Sequence, residues 1–535
     1  MSNMKKRLSL CVAVLMTTTA LAACSKEEPQ QAVQPDNAPQ SVTFPLKEQV
    51  TLRIDVSKLD KDSKFFEDLA LTKQMEKETN VKIEWNVLSG DSKQIDEKKK
   101  IMFASDSYGD VVINMTDQDF MNFSAAGLIL PLEKYMNEKN TPNIMELFKK
   151  LPTTKNVVTF PDGHIYTIPK YTGFKENFIE NRIWMNKTWL DTLGLAVPKT
   201  TDELYAVLKA FKDKDPNGNG KPDEIPLTLV DEHAFMHMES LMGMWGLATK
   251  SGLFDSYLAL KNNKVVFAPT DPAFKDGMKY LNKLYQEKLL DNEVFTQKEA
   301  NAFAKIGSAT DTVGMFVNKT NMAKNRDHYI AIAPPNAPGY EASWYVHPGS
   351  VGARSKMAVT KSNKYPEITL AWFDKFYTTR DTYIAQFGLD SLTEEAGVLK
   401  FKPIPAGTTE DKFYDGNSYM KTDWPGVTYD EDFGKTIEFP QMWKELLTYK
   451  GLYDPYLTKS PWPRPMLTSD ENEKNTALRT DIFNAVKGMK AKLLLSKDDA
   501  AFNSEWEKFT NDIKKMNGEE YVKIQQGAYD RFMKK

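Results

Sequence analysis

Cysteine is nearly missing from this chain of 535 residues: Cys11 and Cys24 allow at most one bridge, which excludes a disulfide scaffold. A surplus of one charge is also missing. Lys and Arg number 70 against 73 Asp and Glu, so the basic excess of a generic nucleic-acid binder is absent. No Gly-x-Ser-x-Gly elbow, Walker loop or Cys–His pair occurs to support the corresponding enzyme classes. No apolar run reaches the roughly 20 residues that cross a bilayer. What is present is ordinary for a folded protein: 41% hydrophobic and 27% charged residues, on a chain long enough for two to four domains of roughly 100–200 residues. Aromatic residues are plentiful (29 Phe, 22 Tyr, 10 Trp).

The N-terminus carries an address. Lys5, Lys6 and Arg7 precede the short apolar run Leu8 to Met16, which reads as a secretory signal rather than a membrane span. Leu21-Ala22-Ala23-Cys24 resembles the lipobox of bacterial lipoproteins, in which the cysteine is lipidated and becomes the new N-terminus. The plain alternative is an ordinary signal peptide cut beside a cysteine. The polar Ser25-Lys26-Glu27-Glu28 that follows at once favours the lipobox. Cleavage before Cys24 removes three positive charges and no acids, which leaves 67 − 73 = −6. Pro29 to Gln40, rich in Gln, Pro and Ala, reads as a flexible tether.

Beyond the tether, strands alternate with helices. Thr51 to Val56 alternates with a period of two, Phe65 to Lys77 has helical spacing, and Val81 to Leu88 is a strand. Gln94 to Phe103 follows as a helix, and Asp110 to Met115 as a buried strand. The pattern restarts after Pro169, with a strand at Arg182 to Asn186 and a helix at Thr201 to Phe211 capped by Thr200 or Thr201. A helix follows at Ala273 to Glu287, strands at 312–317 and 329–333, and a mostly helical region from Glu438. Such alternation predicts an α/β protein.

Three stretches occur in order: Asp162-Gly163-His164-Ile165-Tyr166-Thr167-Ile168-Pro169, Asn186 to Leu195, and Pro198 to Leu204. Supporting segments are Ala125 to Leu132, Pro366-Glu367 leading into the helix with Trp372 and Asp374, and Ile524 to Phe532. Together they resemble the family 1 extracellular solute-binding proteins, in particular the lipoproteins of Gram-positive carbohydrate ABC importers. That resemblance implies a periplasmic-binding-protein-like α/β fold of two lobes, with an interlobe ligand cleft and a helical C-terminal region. It assigns 1–23 to a signal peptide, 24–48 to a tether, 49–168 with 346–395 to the N-terminal lobe, and 169–345 with 396–535 to the C-terminal lobe. Relatives often carry Gly-x-Glu-Gly near the return strand. Here the stretch reads Gly388-Leu389-Asp390-Ser391, so a ligand contact does not carry over there.

Asp213 to Glu224 fits the EF-hand loop, with oxygens at positions 1, 3 and 5, Gly218 at 6 and Glu224 at 12. The family's calcium loop begins at Asp215 instead. Carried over by position, it gives Asp215, Asn217, Asn219, the Lys221 carbonyl, Asp223 and Glu224 as ligands of a structural Ca2+. A metal-free Gly/Asn/Pro turn is the alternative. His233 and His237 sit four apart, but Ala234 stands where a zincin needs Glu, and no third ligand is evident.

Sugar recognition pairs aromatic faces with polar groups that meet hydroxyls. Trp245, Trp344, Trp424 and Trp462 are candidate platforms because each sits beside Gly, Pro or loop-like residues; Trp189 and Trp372 read as core. Packing is the competing role of each platform candidate. Asp117 follows a buried strand at the end where ligands gather in open α/β sheets, or else serves as a helix cap. His233 is a further candidate contact, since in this fold the stretch after the calcium loop approaches the groove. The expected function is a non-enzymatic, lipid-anchored receptor on the outer face of the cell membrane. It would be a monomer that presents an oligosaccharide to permease subunits. A cell-surface polysaccharide hydrolase or lyase, and a receptor for a peptide or another non-sugar solute, are the alternatives.

Overall fold

The computed structural model describes residues 41–58, 65–250, 256–419 and 424–534; Cys24 and the tether lie outside them. The chain enters through β1 (Val50–Lys58), whose Leu52, Ile54 and Val56 point to one side and are fully buried. β2 (Val81–Ser89) lies parallel to it over nine residue pairs, Val50 opposite Val81 and Lys58 opposite Ser89. β3 (Val111–Ile113) flanks β1 on the other side, also parallel. The connections are helical, as parallel pairing requires. The first predicted helix is split: a single turn at Phe66–Asp68, then Ala70–Thr79, which ends on left-handed Asn80 (φ 56°). The next, Ser92–Ala104, begins in a reciprocal Asp91–Gln94 capping box.

Directly after β3, α1 (Asp117–Ala125) starts with Thr116 and Asp119 exchanging cap hydrogen bonds. The chain then leaves through β4 (Pro169–Thr172) and builds a second sheet. Its strands are β5 (Arg182–Asn186), β6 (Ile225–Thr228), β7 (Val313–Asn318) and β8 (Tyr329–Ile332), in the order β8-β5-β7-β6. Only β6 and β7 are parallel in this sheet. α2 (Thr201–Asp213) precedes β6, capped by Thr200. The chain returns through β9 (Ala353–Arg354), and β10 (Met357–Val359) pairs antiparallel with β3 to complete the first sheet, ordered β10-β3-β1-β2. β11 (Gly426–Thr428), in a segment that packs on the first core, lies parallel to β4. With β4 and β9, which carry the chain out and back, it forms one small crossover sheet, β9-β4-β11.

Two large cores follow from this path. The first gathers Leu52, Ile54, Val111, Phe174, Trp372 and Tyr383; the second gathers Ile183, Trp189, Phe211, Leu227, Phe274 and Met315. Leu399, Tyr419, Trp424, Val427, Trp443 and Leu446, all beyond residue 395, pack into the first core. From Tyr453 onward the chain packs into the second core. The region after Glu438 is mostly helical, as its sequence predicts, with one irregular interruption. α3 (Gln441–Leu447) is followed by a largely irregular stretch, and only then by α4 (Ser469–Leu495), α5 (Asp499–Lys515) and α6 (Gly518–Met533). α4 buries Ile482, Val486, Met489 and Leu493, a stripe at helical spacing that seats it on the second core.

Candidate functional site

The loop from Asp215 to Glu224 joins α2 to β6. Its turn needs a left-handed backbone at Asp215 (φ 43°), Gly218 (φ 68°) and Gly220 (φ 72°). The Asp215 carboxylate accepts from the backbone N–H groups of Asn219 (3.1 Å) and Gly220 (2.9 Å). Asn219 donates its amide to Asp223 (3.0 Å), and Asn217 donates to Asp223 (3.1 Å) and to the Asp311 carbonyl (3.2 Å). Among the described residues, no three His, Cys, Asp or Glu side chains form a ready metal cage. Glu224 nevertheless carries a mark of one. Its Oε1 is buried with no hydrogen-bond partner, and burial, together with Asp223 and Asp215, pushes its carboxyl above the usual range. Oxygen donors around an orphaned carboxylate fit a hard cation such as Ca2+.

The predicted platform residues separate into two groups. Trp344 is fully buried, packed on Tyr453 and against Gly243. Trp245 lies in the same core beside Tyr280 and Gly277. Neither lines a cavity described here. His233 is buried too. Its Nδ1 accepts from the backbone N–H groups of Phe235 and Met236, so the proton sits on Nε2, 3.5 Å from Glu299. Burial holds its pKa below the ordinary value, and the neutral ring shapes the turn after β6.

Asp117 and Trp462 do meet. They line a cavity of about 390 Å3 between α1 and the C-terminal helices. Met121 shares the α1 side; Asn475 and Arg479 of α4, with Tyr521 and Gln525 of α6, face it. Asp117 is the first residue of α1, one position beyond its cap, so its carboxylate sits at the positive end of the helix. It is gripped on both oxygens by Arg354 of β9, at 3.1 and 3.0 Å. Gln118 accepts from Asn472 (2.7 Å), which ties α1 to α4. Gln525 donates to Asn475 (2.8 Å). Trp462 rests 6.0 Å from Tyr529, and Arg464 holds an uncommon left-handed backbone (φ 51°). A second cavity of about 310 Å3 shares Met121 and Leu467 with this one and extends it toward Phe160 and Asp162. Trp424 lines a separate cavity against the crossover sheet.

Several polar groups near this region escaped sequence reasoning because their partners are distant in the chain. Lys250 lies 2.5 Å from Glu180 and over the rings of Phe235 and Tyr345. Asp231, at the C-terminal end of β6, joins Glu239 in binding the buried Lys490 of α4, at 2.6 and 2.8 Å.

Residues 58–383, more than half of the chain, match the model of the bacterial extracellular solute-binding proteins. The chain belongs to that family. The fructooligosaccharide ABC transporter substrate-binding protein FusA of Streptococcus pneumoniae serotype 4 (strain ATCC BAA-334 / TIGR4) is 28% identical over 542 residues, covering 97% of each chain. The S. pneumoniae FusA structure in complex with kestose superposes with a TM-score of 0.71 at 27% identity, over 90% of this chain and 99% of that one. An EF-hand mutant of FusA in complex with fructo-nystose does so with the same score at 26% identity and the same coverage. The architecture is therefore the two-lobe α/β fold of solute-binding proteins.

Proposed function

We propose that this chain is an extracytoplasmic receptor that captures an oligosaccharide between its lobes and hands it to the permease of an ABC importer. It is held at the membrane by a lipid on Cys24. One observation carries the reading. The cavity that joins Asp117 of the first lobe to Trp462, Arg479 and Gln525 of the second offers an indole face and several amide and guanidinium donors, in a chain similar to a fructooligosaccharide-binding protein along nearly its whole length. Capture proceeds by closure of the lobes on the solute, which favours the closed state by its differential affinity. The absence of catalysis is part of the reading. Hydrolysis of a glycoside needs two free carboxyl groups across the bond, whereas Arg354 occupies both oxygens of Asp117, and Asp162 of the adjoining cavity accepts from the His164 N–H and the Tyr166 hydroxyl.

The lobe boundaries belong to the same proposal. The first lobe takes 49–168, 346–395 and the segment through Leu446, whose aromatic residues pack with it; the second takes 169–345 and the C-terminal helices. Ca2+ stiffens the loop between α2 and β6 through Asp215, Asn217, Asn219, the Lys221 carbonyl, Asp223 and Glu224. The receptor acts as a monomer.

Titration calorimetry tests the reading, using the purified full chain, neutral fructo-oligosaccharides and uronic-acid oligosaccharides, with and without chelator. Saturable binding with the sugar recovered intact is expected, together with a melting temperature that falls on chelation and returns with Ca2+. Cleaved sugar points to the enzyme alternative. No heat from any sugar removes the carbohydrate reading, and an unmoved melting temperature removes the calcium.

A further inference from the structure

On the crossover sheet lies a second cavity, of about 270 Å3, that shares no lining residue with the one between α1 and the C-terminal helices. Its walls come from three passages of the chain. β4 gives Lys170, Tyr171 and Thr172, the turn at Lys175–Phe178 gives Asn177 and Phe178, and the first lobe gives Gln386, Trp424 and Trp443. Its volume is near the lower end of small-molecule sites.

The chemistry of the walls is specific. Two indoles and two further rings, Tyr171 and Phe178, supply apolar faces, and Phe178 is itself fixed by stacking on His347 at 5.9 Å. The side-chain amides of Asn177 and Gln386 make no hydrogen bond to another described residue, which leaves two donors and an acceptor on each. Trp424 is 5% exposed, and its Nε1–H is buried without an acceptor among the described residues. A buried unsatisfied donor costs about 1–3 kcal/mol, so such a group marks a place where a ligand oxygen is worth more than solvent. Lys170 is the one charged residue among the described lining residues, whereas the larger cavity carries Asp117, Arg464 and Arg479.

We propose that this cavity is a subsite for one neutral glycosyl ring, stacked on the indole wall and held through its hydroxyls by Gln386, Asn177 and Trp424. The assignment rests on the oligosaccharide reading above and adds which part of the solute goes where. A neutral unit sits against the crossover sheet. Tyr171 and both indoles pack with the first core, and the Lys175–Phe178 turn lies where the chain leaves for the second sheet, so a ring bound here sits beside the passage from the first core to the second.

The test is calorimetry on the full chain with a length series of neutral oligosaccharides and the matching uronates, comparing the native protein with Gln386→Ala and Asn177→Ala. Both side chains are half-buried at the surface of their elements, so melting temperatures within about 2 °C of the native protein are expected. Each substitution should weaken the best neutral ligand about 5- to 10-fold, the equivalent of one lost hydrogen bond. Each should also shrink the affinity gained from the last neutral unit of the series. Variants that bind every member as the native protein does overturn this subsite and leave the oligosaccharide reading standing. A native protein that binds no member overturns both. Tighter native binding of a uronate with unchanged sensitivity to Gln386→Ala assigns the cavity to the wrong kind of ring and overturns its neutral character.

Discussion

Each core buries a carboxylate, and the two are treated in opposite ways. In the first lobe, Asp374 stands 4% exposed with no cation beside it among the described residues. It accepts the backbone N–H groups of Ile144 (2.8 Å) and Asn143 (3.2 Å) and the Asn143 amide (3.0 Å), at the start of the helix Pro142–Lys150. Burial outweighs those donors and pushes its carboxyl up to about 6. In the second lobe, Glu239 is more deeply buried, yet its carboxyl is held down to about 2. Burial there is opposed by Lys490 and His237, and full charges beat neutral donors when water is excluded. The two sites therefore answer to pH and to mutation by different routes. Asp374 is a proton-sensitive cap, and Glu239 belongs to a salt bridge whose parts cannot be removed singly.

Breaking the second arrangement should give the largest effect. Lys490→Met leaves Asp231 and Glu239 facing each other in a dry site, and a loss of about 3–5 kcal/mol is expected in denaturant unfolding of the chain. Adding Asp231→Asn and Glu239→Gln to that variant should restore most of it, since the cost lies in the uncompensated charges rather than in the lost bonds.

The pH dependence of Asp374 sharpens the contrast. Its pKa is higher in the folded than in the unfolded chain, so its contribution is complete below the unfolded value near 3.8 and is lost as pH rises through about 6. That amounts to roughly 3 kcal/mol across the window. Asp374→Asn should flatten this part of the stability profile, measured by denaturant unfolding of the chain between about pH 4 and 7. Glu239 works the other way. With a lowered pKa, its contribution is present above the unfolded value and disappears only as pH falls through about 2.

The exposed counterpart of both is Asp117 with Arg354, and here the effect on stability should be smallest. The Asp117 side chain is 60% exposed, so Arg354→Ala should cost less than about 1 kcal/mol in unfolding. The same substitution frees the Asp117 carboxylate, and a change in sugar affinity at unchanged melting temperature is the outcome that separates a binding group from a structural one.

These features were unequally legible in the sequence. The alternation of Leu52, Ile54 and Val56, the Thr200 cap and the left-handed glycines of the Asp215 loop are local, and a local signal survives without knowledge of the fold. The tryptophans misled for a physical reason. Trp245 precedes the left-handed turn at Gly246, and Trp344 sits in an irregular stretch, yet those turns are packed inside the second lobe. Turn chemistry reports backbone direction, not depth. Trp462 and Asp117 line one cavity because the turn after β3 and the stretch before α4 converge there. The Lys490 cluster and the Arg354 clamp join residues 259 and 237 positions apart, and no spacing rule reaches that far.

The crossing sheet β9-β4-β11 has a mechanical consequence. Side-by-side strands resist shear and stretching along their length, because either would break several backbone hydrogen bonds together, but they bend readily across the pleat. The two connecting strands β4 and β9, braced by β11 of the first lobe, thus resist sliding of the lobes past each other more than folding about the strap.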